Sequence, residues 1–283
     1  METIFDLKGL RDAVSGWRNE CNSIALVPTM GNLHLGHLSL IEGANNRADR
    51  TAVSIFVNPI QFGQGEDYEL YPSTLEQDLD ILRDANVDLV FAPNLEELYP
   101  AGIEADTRIT VPDISDILCG EFRPGHFSGV ATVVMKLFLN VQPDYAFFGE
   151  KDYQQTLVIK RMVSDLLLPV EILTLPIVRE KNGLAMSSRN GYLNEPQKQL
   201  SSEIYKALEK AATMMKVGPS SFEEIEKNSA DLLEELGFKV EYFSIRRRRD
   251  LKLAADAVDK SLIILVAAWI GDTRLIDNLQ VDL

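Results

Sequence analysis

Two histidines three residues apart, His34 and His37, stand in the run Val27-Pro28-Thr29-Met30-Gly31-Asn32-Leu33-His34-Leu35-Gly36-His37. At that spacing both imidazoles share one face of a first helical turn, where they can donate to an anion or move a proton. The chain has three histidines, so placing two here is a concentration of titratable groups. Gly31 and Gly36 let a ligand approach the backbone closely. A strand-to-helix turn of this kind is expected to offer unpaired N–H groups and the positive end of a helix dipole, both of which favour phosphate.

Further polar groups fall where other strands end. Gln61, in Phe56-Val57-Asn58-Pro59-Ile60-Gln61-Phe62, offers an amide suited to a ligand carrying both hydroxyl and carboxylate groups. Lys151, Asp152 and Gln155 lie in Phe147-Phe148-Gly149-Glu150-Lys151-Asp152-Tyr153-Gln154-Gln155. Lys151 is a mobile point charge for phosphate, and Asp152 suits a helix cap or a ribose hydroxyl. In Arg179-Glu180-Lys181-Asn182-Gly183-Leu184-Ala185-Met186-Ser187-Ser188-Arg189-Asn190, two hydroxyls beside Arg189 make a polyphosphate clamp, with Gly183 supplying mobility. Arg123, before a long helix, is placed to meet an anion or to pair with Glu121.

The elements that must position these groups follow from periodicity. Ile24 to Val27 reads as a buried strand closed by Pro28, and Leu35 to Ala48 as a helix with Leu38, Leu40 and Ile41 on its apolar side. Thr51 to Val57, Val87 to Ala92, Tyr145 to Phe148 and Val170 to Leu175 read as further strands. Between them lie helices over Ser73 to Ala85, with Ser73 as its N-cap, and over Gln154 to Leu167. Val130, Val133, Val134, Leu137, Phe138 and Val141 mark one more helix by their 3.6-residue face. This alternation predicts an α/β fold: a Rossmann-like parallel sheet with helices on both faces and a ligand site beyond the strands' carboxyl ends. After Pro176 the pattern changes to two amphipathic helices separated by Gly218-Pro219, then strands at Lys239 to Ile245 and Ser261 to Ile270. The expected division is a nucleotide-binding domain over 1–176 and a smaller α+β lid domain over 177–283.

Bulk composition narrows the partners. Lysines and arginines number 28 against 43 acidic residues, a net charge of −15. Such a surface repels nucleic acid, so an anionic ligand must be drawn in by local positive charge. The Arg246–Arg249 block is the one basic run and reads as a solvated turn. Two cysteines, Cys21 and Cys119, build neither a disulfide framework nor a zinc site. No apolar run is long enough to span a bilayer, and the first residues do not resemble a secretion signal, which predicts a cytoplasmic protein without membrane contact.

The His-X-Gly-His spelling resembles the signature of the nucleotidyltransferase superfamily, and Met-Ser-Ser-Arg resembles its second signature loop. Pro28 to His34, Phe56 to Phe62, Arg123 to Phe127, Gly149 to Gln155, Met186 to Tyr192 and Ala267-Ala268-Trp269 stand in the order of the pantothenate synthetase (pantoate–β-alanine ligase) family. That resemblance, running from about Ile24 to Asn278, implies ligation of pantoate and β-alanine with ATP through a pantoyl adenylate, releasing AMP and pyrophosphate. It also implies Mg²⁺ and a homodimer. By resemblance, Met30, Gly31, Asn32, Leu33, His34, Leu35, Gly36, His37, Gly149, Glu150, Lys151, Asp152, Val178, Met186, Ser187, Ser188 and Arg189 bind ATP. His37, as general acid, acts with His34, Lys151 and Arg189; Gln61 and Gln155 hold pantoate, and Gln61 also meets β-alanine. Leu35 departs from the small or acidic residue usual there and is expected to point away from the phosphates; which groups touch Mg²⁺ stays open.

Three rivals share parts of this pattern. A synthetase acting on tRNA conflicts with the net charge and lacks an anticodon-reading segment. A nucleotidyltransferase acting on a phosphorylated acceptor has no use for Gln61 and Gln155 together. A regulator that binds nucleotide without chemistry has no need of both histidines with Lys151 and Arg189.

Overall fold

Short strands that are apolar on both faces can be satisfied only inside a sheet covered on both sides. Strands β2 (Ile24–Thr29), β3 (Arg50–Ile55), β4 (Leu89–Phe91) and β5 (Tyr145–Gly149) are largely buried in this way, and the more exposed β1 (Glu2–Ile4) and β6 (Glu171–Leu175) flank them. In the computed structural model, which describes residues 1–63, 65–217, 220–255 and 258–283, they form one sheet. Its order is β1-β4-β3-β2-β5-β6, and every neighbouring pair is parallel. The connections carry α1 (Leu7–Asn19), α2 (Leu35–Asn45), α3 (Leu75–Asp84), α4 (Leu95–Leu98), α5 (Cys119–Phe122), α6 (His126–Val141) and α7 (Tyr153–Asp165). On one face Ile41 and Ala44 of α2 and Leu82 of α3 pack with Ala25, Val27, Val53, Val90 and Phe147. Ile24 and Leu26 point to the opposite face and are also buried, with α6 against β2 and α1 against α6.

Pro28 does not close its strand. It pairs in register with Ser54, yet its own missing N–H faces the β5 side, where pairing ends at Leu26↔Ala146. No ladder bond is therefore lost, and β2 continues to Thr29. Two further expectations shift. Thr74 rather than Ser73 precedes α3, and α6 is buried nearly all round, because Gly129, Ala131, Thr132 and Met135 are covered as well as the expected face.

The described residues fall into two compact units, Met1–Glu150 with Val158–Pro176, and Lys151–Leu157 with Ile177–Leu283. The expected cut after residue 176 leaves Lys151–Leu157 in the first domain, but contacts group it with the second. The Tyr153 hydroxyl donates to the Arg248 carbonyl and the Asn278 amide donates to the Lys151 carbonyl. The second unit adds α8 (Glu195–Ser201), α9 (Glu203–Val217), α10 (Phe222–Glu235), β7 (Lys239–Arg247), β8 (Ser261–Ile270) and β9 (Thr273–Asp282). Its three strands form an antiparallel sheet in chain order. Its core joins Ile204, Leu208 and Ala211 of α9, Ile225 and Leu233 of α10, and Ile264 and Val266 of β8. The Gly218-Pro219 separator lies outside the described residues. Among the described residues no helix is long and apolar enough to cross a membrane.

Candidate active site

In the first unit the chain winds outward from β2 to β3 and β4, then returns to place β5 on β2's other side. That reversal is a switch point of an open parallel sheet, where ligands bind beyond the carboxyl ends of the strands. The turn after β2 carries the two histidines, and Gly149 ends β5.

His34 is itself the N-cap of α2. Its Nδ1 accepts the Gly36 N–H at 3.1 Å, and the His37 Nδ1 accepts the His34 N–H at 3.3 Å. A ring nitrogen that accepts a backbone N–H carries no proton, so each ring's proton sits on Nε2. The rings lie 4.1 Å apart between centroids. This reciprocal cap turns two side chains into paired Nε2–H donors on one helix start.

The backbone is arranged differently from expectation. Residue types alone predict unpaired N–H groups for phosphate in this turn, yet those groups are already partnered. The Gly31 N–H donates to the Thr29 hydroxyl, and those of Asn32 and Leu33 donate to the two oxygens of Asp78 at 2.9 and 2.8 Å. The His37 and Leu38 N–H groups both donate to the His34 carbonyl. Contact with an anion therefore falls to imidazole and to the helix dipole rather than to these amides. Leu35 is 59% exposed.

Gln61 sits in a 3₁₀ turn, Pro59–Gln61, that α6 can approach only because residue 129 is glycine: a Cβ there would meet the Ile60 carbonyl at 2.7 Å. Its Oε1 accepts from the Asn58 amide at 3.3 Å, and its Nε2 donates to the Met30 sulfur at 2.9 Å. Asn58 is fixed in turn, its oxygen accepting the Tyr99 hydroxyl at 2.8 Å. Burial pushes that phenol's pKa well up, which keeps it a donor. The Gln61 carbonyl is held by the Arg123 guanidinium at 3.2 Å and contacts His126 Nδ1 at 2.7 Å. Arg123 pairs not with Glu121 but with Glu66, through two contacts of 2.6 and 2.5 Å. Burial raises the Glu66 pKa, but the Arg123 fork outweighs it and holds the carboxyl below its usual range.

The second unit carries the remaining expected residues. Val178 and Met186 are neighbours, because the Met186 N–H donates to the Val178 carbonyl and Arg179 bridges Ala185. Gly183, at φ +96°, makes the intervening turn under the Tyr205 ring. The Ser187 hydroxyl caps the next 3₁₀ turn by accepting the Arg189 N–H at 3.2 Å. Lys151 and Ser187 line one hollow, together with Leu184, Ala185, Ile204, Leu275, Ile276 and Asp277. Lys151 also lies 3.8 Å from the Asp152 carboxylate, and Gln155 is half-buried in the first turn of α7. Arg179 is turned inward: it forks onto Asp277 at 2.6 and 2.9 Å and stacks on Tyr205 at 3.7 Å. The Arg246–Arg249 run meets its own acids, Arg247 and Arg249 contacting Asp250 and Arg248 contacting Asp282.

Sequence reasoning passed over Asp78, Asn58, Glu66 and Asp277. Asp78 left a signal: Leu75, Asp78, Leu79 and Leu82 share one face of α3, so a carboxylate stands on an apolar stripe. Asp277 left none of that kind.

Comparison with known proteins identifies the family. A family model described as Pantoate-beta-alanine ligase matches residues 2–280. A pantothenate synthetase from Shewanella halifaxensis is 51% identical over 283 residues, covering 100% of this chain and 99% of its own. The crystal structure of pantothenate synthetase from Thermus thermophilus superposes with a TM-score of 0.91 at 43% identity, covering 99% of both chains. Another, a pantoate-beta-alanine ligase from Francisella tularensis complexed with beta-gamma ATP and beta-alanine, has a TM-score of 0.84 at 35% identity, covering 99% of this chain and 97% of that one.

Proposed function

The chain belongs to the pantoate-beta-alanine ligase family, and from that premise we propose how its residues make pantothenate. It is an ATP-dependent ligase that joins pantoate to β-alanine through an amide bond. A carboxylate does not acylate an amine at neutral pH, because oxide would have to leave. A pantoate carboxylate oxygen attacks the α-phosphorus of ATP, the bond to the β-phosphate oxygen breaks, and pyrophosphate departs. The β-alanine nitrogen then attacks the acyl carbon, the bond to AMP breaks, and the nitrogen gives up a proton.

Negative charge grows on phosphate oxygens in the first step, so the catalyst's task is positioning and charge stabilisation. The paired Nε2–H groups of His34 and His37 carry this reading: they are fixed donors at the switch point. His37, the residue that the resemblance makes the general acid, meets the departing pyrophosphate as an Nε2–H hydrogen-bond donor, because a neutral ring that gave up that proton would be left an imidazolate. Lys151 and Arg189 supply positive charge. Residues 30–37 and 149–152, with Val178 and 186–189, bind ATP. Gln61 and Gln155 hold pantoate. Gln61, whose oxygen accepts from Asn58 and whose amide donates to the Met30 sulfur, meets pantoate, and later β-alanine, through its second N–H and its second lone pair. Magnesium enters with the nucleotide as the MgATP substrate; among the described residues no cluster of three His, Cys, Asp or Glu side chains forms a resident metal site. The chain works in the cytoplasm, as its sequence predicts, and as a homodimer, as the family resemblance implies; sedimentation would report its mass.

Pantoate-dependent exchange of labelled pyrophosphate into ATP, without β-alanine, tests the reading. Exchange is expected with pantoate alone. A requirement for tRNA or for a phosphorylated acceptor would replace the pantoate assignment with one of its rivals.

A further inference from the structure

We propose that Asp78 is a positioning residue for the adenylation step: its carboxylate occupies the backbone cradle of the histidine turn and thereby aims both imidazoles. The inference rests on the assignment of His34 and His37 to ATP. Asp78 projects from the first turn of α3 and is 1% exposed. Its Oδ2 accepts the Asn32 N–H at 2.9 Å and the Thr74 hydroxyl at 3.0 Å, and its Oδ1 accepts the Leu33 N–H at 2.8 Å. The Asn32 N–H is shared with the Thr74 oxygen at 3.1 Å.

Two successive backbone N–H groups converging on one anion make a nest, the arrangement that elsewhere cradles phosphate. Here the chain's own carboxylate fills it. The backbone is bent to reach that carboxylate: Gly31 lies at φ +82° and Asn32 at φ +51°, a region costly for a side-chain-bearing residue. A Cβ on residue 31 would come to 3.0 Å from Asp78 Oδ2, so glycine is what permits the approach. Leu33 directly precedes His34, whose ring and amide build the reciprocal cap with Gly36 and His37. Release of the amides at 32 and 33 would let the cap swing, and with it both Nε2–H donors. The same substitution leaves the contacts of the Gln61 turn with Asn58 and Arg123, and of Asn58 with Tyr99, in place.

Asp78→Asn tests this, because the Asn32 and Leu33 N–H groups meet different carboxylate oxygens and the carboxamide turns one of those acceptors into an NH2 donor. In pantoate-dependent pyrophosphate exchange it should lower kcat at least about tenfold while KM for pantoate stays within about twofold. Hydrogen exchange at the Asn32 and Leu33 amides should quicken by at least about tenfold, with Leu26 and Val27 of β2 unchanged. Thr74→Ser, which keeps the hydroxyl, should behave as wild type, and Thr74→Val should move kcat and amide exchange the same way but less. An Asp78→Asn enzyme with kcat within about twofold of wild type overturns the proposal, as does unchanged exchange at residues 32 and 33. Loosening of β2 in proportion to the lost activity would make Asp78 merely structural and overturn it too. Should Asp78→Asn not fold, an unaltered kcat in Thr74→Val overturns it. A fully active His37→Ala would sink the ATP assignment instead, leaving the amide-exchange result intact.

Discussion

Asp78 and Asp277 are both buried carboxylates under loops that the site reading assigns to ATP, but they are satisfied in opposite ways. Asp78 is met by neutral donors, two amides and a hydroxyl. Asp277, 5% exposed, is met by the Arg179 fork and the Asn278 N–H. Burial pushes the Asp277 carboxyl up, and Arg179 and the Lys151 charge oppose that push. A neutral anchor fixes backbone shape without adding a cation. An ionic anchor consumes one: Arg179, the first cation in the 179–190 stretch, is committed inside the fold. The difference is one between setting geometry and balancing charge.

The largest effect should come from breaking the ionic anchor. Arg179→Ala strands a carboxylate in the second unit's interior, which should cost about 3–5 kcal/mol of stability in chemical denaturation. A loss below about 1 kcal/mol would mean that Asp277 is as self-sufficient as Asp78, and the contrast would collapse. His37→Ala should cost roughly 3 kcal/mol of transition-state stabilisation, about a hundredfold in turnover, with the fold intact by circular dichroism. Lys151→Ala should lower turnover at least about tenfold with the fold intact by circular dichroism. Near-normal turnover in either variant removes that residue from the chemistry.

These contrasts also mark where sequence reading reaches. The parallel sheet was legible because β2, β3 and β5 are continuous apolar runs separated by helical periodicity. The histidine turn was legible because its residue types are rare in this chain. What the turn's amides do was not: Asn32 and Leu33 find their acceptor 46 and 45 residues away, and no local pattern encodes that pairing. The Arg179–Asp277 pair spans 98 residues and is equally silent. β1 and β9 escaped because edge strands mix polar and apolar residues, although Gly271-Asp272, with Gly271 at φ +56°, is a two-residue hairpin turn that announces β9. Pro28 misled because its cost depends on which flank lacks a partner, a fact of sheet order alone.

Two glutamates, one in each unit, should also answer acid in opposite senses. In the first, Arg123 holds the Glu66 pKa below its usual 4.5, so its stabilisation is present above that value and is lost as pH falls through the lower folded value. In the second, burial raises the Glu226 pKa despite bonds from the Ile245 N–H and the Ser244 hydroxyl. A raised folded value means that its contribution is present at low pH and is lost as pH climbs through that value. Stability profiles between about pH 3 and 7 should therefore lose their acid-side fall in Glu66→Gln. In Glu226→Gln they should lose part of their decline toward neutrality. Parallel changes in the two variants would mean that burial, and not the Arg123 partner, governs both groups.

The smallest effect sharpens the contrast most cheaply. Arg246–Arg249 is the strongest charge signal in the sequence, whereas Arg179 is a lone residue, and the structure inverts their importance. Among the described residues Arg249 reaches Asp250 alone, at 3.5 Å, with its side chain 77% exposed. An exposed pair of that kind gains little Coulomb energy in water and gives up side-chain entropy to form. Arg249→Ala should thus change unfolding free energy by less than about 0.5 kcal/mol and leave pantoate-dependent exchange unaltered. A larger loss of stability would mean that the turn between β7 and β8 depends on its charge run. A loss of exchange with stability intact would bring the block into the chemistry.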